Sequence, residues 1–424
     1  MLSTSFLRIL LTRSFKPFIF IKKYTNQLLF QNLDNIGLYV HVPFCNSICN
    51  FCPYSKVKYE KTLAQEYVNA ILKEIDLVCT YSAAFSNNQK EKKTVTSLYF
   101  GGGTPALILN DLKKIISKLE EYFSIKEGIG IELHPDNIST DTLCTLRAAG
   151  VDMVSIGIQS FDTKCLDMLG RKSNNFIERI ELVKSYGFSV IDVDLIFGIQ
   201  KQTYTSLISD IAIAFKHGAT QISTYPFIDF TFANNAYKPM AESVKKNILN
   251  NIVKYCSQNN IKRTSVWTFS KNKHKKYSSI TRDNFLGFGT SATTLLQNIF
   301  KINTFSIPDY IKSVNENNLP TSLTLDFTRR QRICYYLFWA CYSMHIDTEA
   351  FNKIAGESIE KLYGFELFFC RIFGLIKKEE NGYNLTNKGA YYFHKIEQKY
   401  TNSYIDKSWN MSRIHAFPEK IILK

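Results

Sequence analysis

No apolar run in this 424-residue chain approaches the ~20 residues that a bilayer span requires. A membrane-spanning helix is therefore not expected. Ten cysteines are present, but seven of them (Cys79, Cys144, Cys165, Cys256, Cys334, Cys341 and Cys370) are scattered, mostly in apolar runs. That spacing excludes the compact disulfide framework of a small secreted domain and fits a reducing compartment. Acidic residues are missing altogether from Met1 to Leu33, where Arg8, Arg13, Lys16, Lys22 and Lys23 are interleaved with apolar and hydroxyl residues. Such a stretch reads as a basic leader or mitochondrial-type targeting segment, with a basic amphipathic surface helix as the alternative. The formal charge of +15 favours anionic partners without choosing among them. Hydrophobic residues at 45% and charged residues at 21% suit a globular chain rather than a disordered one.

Strand-like and helix-like segments alternate from Gly37 to about Phe269. Strands are expected at Gly37–Val42, Val95–Phe100, Ile129–Leu133, Met153–Ile156, Ser189–Ile196, Gln221–Tyr225 and Thr264–Phe269. Helices are expected at Thr62–Tyr81, Asp111–Phe123, Thr140–Ala149, Asn174–Tyr186, Tyr204–Lys216 and Ala241–Gln258. Gly150, Gly187 and Gly218 stand where helices should stop. This alternation predicts an α/β fold, a parallel sheet with helical crossovers in partial (βα)6 barrel form. The pattern changes after about Pro308 to a small α+β, winged-helix-like unit. The expected organisation is a leader over 1–33, a barrel over 34–300, the C-terminal unit over 301–400 and an irregular tail over 401–424.

Cys45, Cys49 and Cys52 form C-x3-C-x2-C, three thiols within eight residues. Thiolates are the usual ligands of iron–sulfur clusters. A fourth nearby cysteine would close such a cluster, but the position two after Cys52 is Tyr54. Three ligands on a 4Fe–4S cluster leave one iron open, and an open iron can chelate the amino and carboxylate groups of S-adenosylmethionine. A zinc loop completed by His41 is the competing reading. Gly101, Gly102 and Gly103 follow a strand, and residues without Cβ let backbone approach a ligand.

These motifs resemble the radical S-adenosylmethionine proteins of the oxygen-independent coproporphyrinogen III oxidase type, a group that includes coproporphyrinogen dehydrogenases and haem chaperones. The resemblance rests on YVHVPFCNSICNFC from Tyr39 to Cys52, FGGGTP from Phe100 to Pro105 and Glu132 in IELHPD. It continues through SIGIQSF from Ser155 to Phe161, Leu169-Gly170-Arg171, DVDLIFG from Asp192 to Gly198 and LGFGTSA from Leu286 to Ala292. It implies that Cys45, Cys49 and Cys52 hold the cluster and that Tyr39 and Phe51 pack the cofactor. It also implies that Gly102, Gly103 and Thr104 line the methionine end, and that Glu132, Gln159, Arg171 and Asp194 contact S-adenosylmethionine. The implied activity is reductive cleavage of S-adenosylmethionine to a 5′-deoxyadenosyl radical that acts on a tetrapyrrole in porphyrin or haem biosynthesis. A haem chaperone and a methyltransferase using two S-adenosylmethionine molecules, or haem, are the alternatives.

Tyr54 stands where the oxidases carry a further cysteine, and His274-Lys275-Lys276-Tyr277 matches the chaperone branch poorly. Cations between Lys262 and Arg282, with Trp267, Phe269 and Tyr277 among them, are candidates for meeting propionates and packing a macrocycle. No specific catalytic residue is assigned. The expected partners are a small-molecule substrate and a one-electron donor such as flavodoxin or ferredoxin. Nucleic acid is not expected as a partner, the chain is expected to be a monomer, and its expected location is cytoplasmic, or mitochondrial if the leader is an address.

Overall fold

The computed structural model describes residues 16–23, 28–83, 92–172, 175–231, 235, 237–271, 283–400 and 405–423. Six parallel strands form its centre: β1 (Ile36–Val42), β2 (Lys93–Gly102), β3 (Phe123–Leu133), β4 (Val151–Gln159), β5 (Val190–Phe197) and β6 (Gln221–Pro226). They lie side by side in chain order. The crossovers are α1 (Lys61–Ala83), α2 (Leu109–Tyr122), α3 (Thr140–Ala148), α4 (Thr163–Met168) with α5 (Phe176–Ser185), and α6 (Tyr204–His217), and α7 (Glu242–Gln258) follows β6. Helix starts are fixed locally, as where Ser139 and Thr203 accept the amides of Thr142 and Ser206. Gly218, at φ 137°, ends α6 in a conformation that favours glycine.

The expected partial (βα)6 arrangement is therefore present, within a longer open sheet. Asn284–Phe288 pairs parallel to β1, and antiparallel strands Thr293–Leu296, Ile299–Asn303 and Thr321–Asp326 follow it. Beyond them lie Phe18–Ile21 and Lys420–Leu423, which bring the sheet to 14 strands and close no barrel among the described residues. Alternate residues of the central strands face opposite ways. Leu38, Val40, Phe100, Ile131, Val154, Ile156, Val193 and Leu195 enter one continuous apolar core beneath the helices.

Several expectations change. Part of the stretch read as a leader over 1–33 is folded into the domain, since Phe18–Ile21 pairs with Lys420–Leu423, and Leu28, Phe30 and Leu33 are buried in the core. The irregular tail contains helix Asp406–Ile414 as well as that last strand. The strand expected at Thr264–Phe269 is two short ones, Lys262–Arg263 and Thr268–Ser270, folded back on each other. After Thr321–Asp326, helices Arg329–Tyr342, Thr348–Ala355, Ile359–Ile372 and Asn387–Tyr400 gather around a three-stranded antiparallel sheet of His345–Asp347, Gly382–Leu385 and Ile376–Glu379. No helix among the described residues is long and apolar enough to cross a membrane.

Candidate functional site

Parallel sheets are usually apolar on both faces. The face of β1–β6 opposite the core is not. It presents Tyr39 and His41 from β1, Tyr99 and Gly101 from β2, and Glu132 from β3. Ser155, Gly157 and Gln159 follow from β4, and Asp192 and Asp194 from β5. Register brings these together: His41 lies beside Gly101, Glu132 beside Ser155, Ser155 beside Asp192, and Gly157 beside Asp194.

The cysteine loop leaves β1 at one rim of this face. Cys45 is buried and Cys49 and Cys52 are half-buried. The Cys52 amide donates to the Cys49 carbonyl at 3.4 Å, and Lys56 Nζ donates to the Cys52 carbonyl at 2.8 Å. Phe44–Cys45 pairs with Val57–Lys58, which closes the loop on itself. The Thr104 hydroxyl donates to Cys45 Sγ at 3.8 Å. Burial lifts the Cys45 thiol to about 11, against the pull of Thr104. Burial also raises Cys49, while the Arg171 guanidinium pulls it back down.

The glycine run is a cradle whose tightness the backbone explains. The Gly103 amide donates to the Val42 carbonyl and the Thr104 amide to the Phe44 carbonyl, each at 2.7 Å. A Cβ on Gly103 would lie 2.6 Å from the Phe44 carbonyl oxygen and 3.0 Å from Cys45 Sγ. Gly102 has φ 114°, and a Cβ there would meet the His41 ring at 2.5 Å. His41 Nε2 lies 2.9 Å from the Ser55 carbonyl, which can only accept, so Nε2 carries the proton. Nδ1 then accepts from the Tyr39 hydroxyl at 3.0 Å. Burial lowers His41 to about 4, keeping it neutral. Both ring nitrogens are engaged, so His41 is not available as a fourth thiol-side ligand for zinc.

Glu132 accepts from the Gly102 amide and from the Tyr99 hydroxyl, each at 3.0 Å. Burial raises it to about 7, with the Gly102 amide opposing. Arg171 is buried and Nη1 donates to the Gly157 carbonyl at 2.6 Å. Part of its fork is thus spent on backbone. Gln159 sits at φ 75°, an uncommon conformation for a residue with a side chain and one that clusters at functional positions. Asp194 Oδ2 accepts from Ser155 Oγ at 3.0 Å. Burial holds Asp194 well above the usual carboxylate range, and the neighbouring Asp192 and Glu132 push the same way. Tyr39 stacks on Tyr99 with ring centroids 6.2 Å apart, whereas Phe51 packs on the separate apolar group of Leu169, Ile196 and Phe227.

Three features escaped the sequence reading. Tyr54 keeps 43% of its surface exposed and packs on Trp409 of the C-terminal helix. Arg413 donates to the Pro53 and Tyr54 carbonyls at 3.0 and 3.1 Å, so the chain's end clamps the cysteine loop. The LGFGTSA segment is tied to α1: Gly289 N donates to Glu74 and Thr290 N to Tyr67. Trp267 and Phe269 line no open macrocycle site, because both are fully buried and Trp267 packs edge-on to His394 at 4.3 Å. Tyr277, His274 and the cations from Lys273 to Arg282 lie outside the described residues.

The donor set fits an open-sited cluster: three thiols on one loop, a glycine cradle a Cβ would fill, and a polar floor beside it. Among the described residues no three His, Cys, Asp or Glu side chains are arranged to hold a single metal ion, and thiols that each take a different iron need not be.

Residues 39–211 match the radical SAM superfamily. The chain is 26% identical over 369 residues to the heme chaperone HemW of Bacillus subtilis, covering 83% of this chain and 95% of that protein. It is 24% identical over 403 residues to the oxygen-independent coproporphyrinogen III oxidase of Pseudomonas aeruginosa, covering 84% and 83%. The solved structure of the coproporphyrinogen III oxidase HemN from Escherichia coli superposes with a TM-score of 0.75 at 20% identity, covering 93% of this chain and 98% of that one. At that identity the match shows a shared fold.

Proposed function

We propose that this chain, whose residues 39–211 are a radical SAM domain, uses its polar sheet face to bind S-adenosylmethionine and act on a tetrapyrrole. The observation that carries the reading is the junction of Cys45, Cys49 and Cys52 with the Gly102–Gly103 cradle at the rim of that face. Cys45, Cys49 and Cys52 would hold a 4Fe–4S cluster. When bound, that cluster supplies one electron, which divides S-adenosylmethionine into methionine and a 5′-deoxyadenosyl radical able to take hydrogen from a substrate.

The residues around it have distinct tasks. Gly102 and Gly103 let backbone reach the methionine end, and Thr104 steadies the Cys45 sulfur. Glu132, raised by burial while it stands alone, would ionise opposite an ammonium group, whose positive charge favours the carboxylate. The part of the Arg171 fork not donated to Gly157 can meet a carboxylate. Asp194, which accepts from Ser155, would accept ribose hydroxyls, and Gln159 would donate to an adenine edge. Neutral His41 fixes the Tyr39 hydroxyl and the loop at Ser55, holding its proton on Nε2.

Likeness to both a named oxidase and a named chaperone leaves two activities, and one experiment divides them. The protein is reconstituted anaerobically, given dithionite and S-adenosylmethionine, and 5′-deoxyadenosine is quantified with coproporphyrinogen III, with haem, and with neither. Release that rises with coproporphyrinogen III supports the oxidase-type reading. Tight haem binding with no release above a cluster-free control replaces it with the chaperone.

A further inference from the structure

The helix Asp406–Ile414 joins the loops that follow the first and the last of the six central strands. At its start the Asp406 carboxylate accepts from the amide and the hydroxyl of Thr231, just beyond β6, at 2.9 and 2.8 Å. Asn410 Nδ2 donates to the same hydroxyl at 2.7 Å. In its middle, Trp409 packs on Tyr54 and on Phe305, with ring centroids 6.2 and 5.8 Å away. Near its end, Arg413 Nη2 donates to the Pro53 and Tyr54 carbonyls at 3.0 and 3.1 Å.

These contacts deliver a guanidinium to the two residues that follow Cys52. Lys56, whose Nζ donates to the Cys52 carbonyl at 2.8 Å, is a second cation on the same loop. Arg413 lies at the surface, yet two carbonyls fix its guanidinium in place. That group stays charged at any pH the fold survives, and Cys52 acts electrostatically on it. The one acid on this helix, Asp406, is held at the other end by Thr231. The cysteine loop thus receives positive charge from a residue some 360 positions away in sequence.

We propose that Arg413 raises the reduction potential of the cluster held by Cys45, Cys49 and Cys52, and that the end helix serves to hold this charge against the loop. The inference rests on the cluster reading above and not on the choice of substrate. Three thiolates leave a 4Fe–4S core with net negative charge, and one electron from an external donor makes it more negative. A fixed cation beside it therefore favours the reduced form. The ties at Thr231 and the packing of Trp409 act through Arg413, by keeping it in place.

The test is an anaerobic redox titration of the reconstituted full-length protein with dithionite, without S-adenosylmethionine. The reduced cluster is followed by its electron paramagnetic resonance signal. In Arg413→Gln the ratio of reduced to oxidised cluster at a fixed potential should fall about threefold, which is roughly 30 mV for a one-electron couple. That modest size allows for solvent screening of a surface charge. Arg413→Lys keeps the charge and should keep most of the wild-type ratio. The gap between Arg413→Gln and wild type should narrow as salt is raised. Thr231→Val changes no charge but loosens the far end of the helix, and should lower the ratio by less. An unchanged ratio in Arg413→Gln would overturn the proposal. So would an equal, salt-independent fall in the Gln and Lys variants, which would mark Arg413 as a clamp alone. If Arg413→Gln does not retain cluster iron, Thr231→Val decides, and a ratio equal to wild type there overturns the proposal. Wild-type protein that assembles no 4Fe–4S cluster removes the cluster reading and this inference together. An intact cluster whose potential ignores Arg413 removes this inference alone.

Discussion

The two faces of the central strands are made by the same six to eleven residues per strand, yet they obey different rules. On β5, Ile191, Val193, Leu195 and Phe197 enter the core, and Asp192 and Asp194 between them turn the other way. On β4, Val154, Ile156 and Ile158 do the same against Ser155, Gly157 and Gln159. The apolar face holds the molecule together, each fully buried aliphatic side chain contributing about 1.5–3 kcal/mol. The polar face stabilises little, and its buried carboxylates sit above their ordinary range because burial works against their charge. That asymmetry is why the polar face is the one proposed to carry the chemistry.

The contrast can be broken most sharply at the rim. Cys49→Ala leaves both faces intact, yet should lose most of the cluster iron on anaerobic reconstitution. Iron content and visible absorption equal to wild type would remove the thiol assignment. Next, Leu195→Ala and Ser155→Ala cut one residue from each face of neighbouring strands. Leu195→Ala should cost about 2–5 kcal/mol in chemical denaturation, and Ser155→Ala about 1 kcal/mol. S-adenosylmethionine affinity should fall more for Ser155→Ala, which removes the donor to Asp194. The same rank order in both measurements would erase the distinction between faces.

A smaller effect concerns pH. Burial raises Glu132 to about 7 from an ordinary 4.5. The folded chain therefore holds this proton more tightly than the unfolded one. The stability it contributes is complete below about pH 4.5 and is lost as pH rises through about 7. Glu132→Gln should flatten the apoprotein's decline in melting temperature between pH 5 and 8. The difference between variant and wild type isolates Glu132 from Glu74, another buried acid raised to about 7. Parallel curves would show that Glu132 is not held in this state.

What the sequence disclosed follows from how local each signal is. The three cysteines lie within eight residues, so spacing alone exposed them. The strand–helix alternation was equally legible, since period and glycine stops are short-range signals. Phe18–Ile21 and Lys420–Leu423 were not, because each is a four-residue strand and their partners lie some 400 residues apart. The Arg413 clamp is a contact of the same kind. Trp267 and Phe269 looked like ligand-packing aromatics because basic residues surround them in sequence, but that says nothing about which side of a strand they occupy.

The central claim is that the polar face binds S-adenosylmethionine through residues that do not hold the cluster. Calorimetric titration of S-adenosylmethionine into reconstituted wild-type protein and Asp194→Ala tests it most directly. Affinity about tenfold weaker in the variant is expected, with cluster iron unchanged. Equal affinity in the two proteins would contradict it.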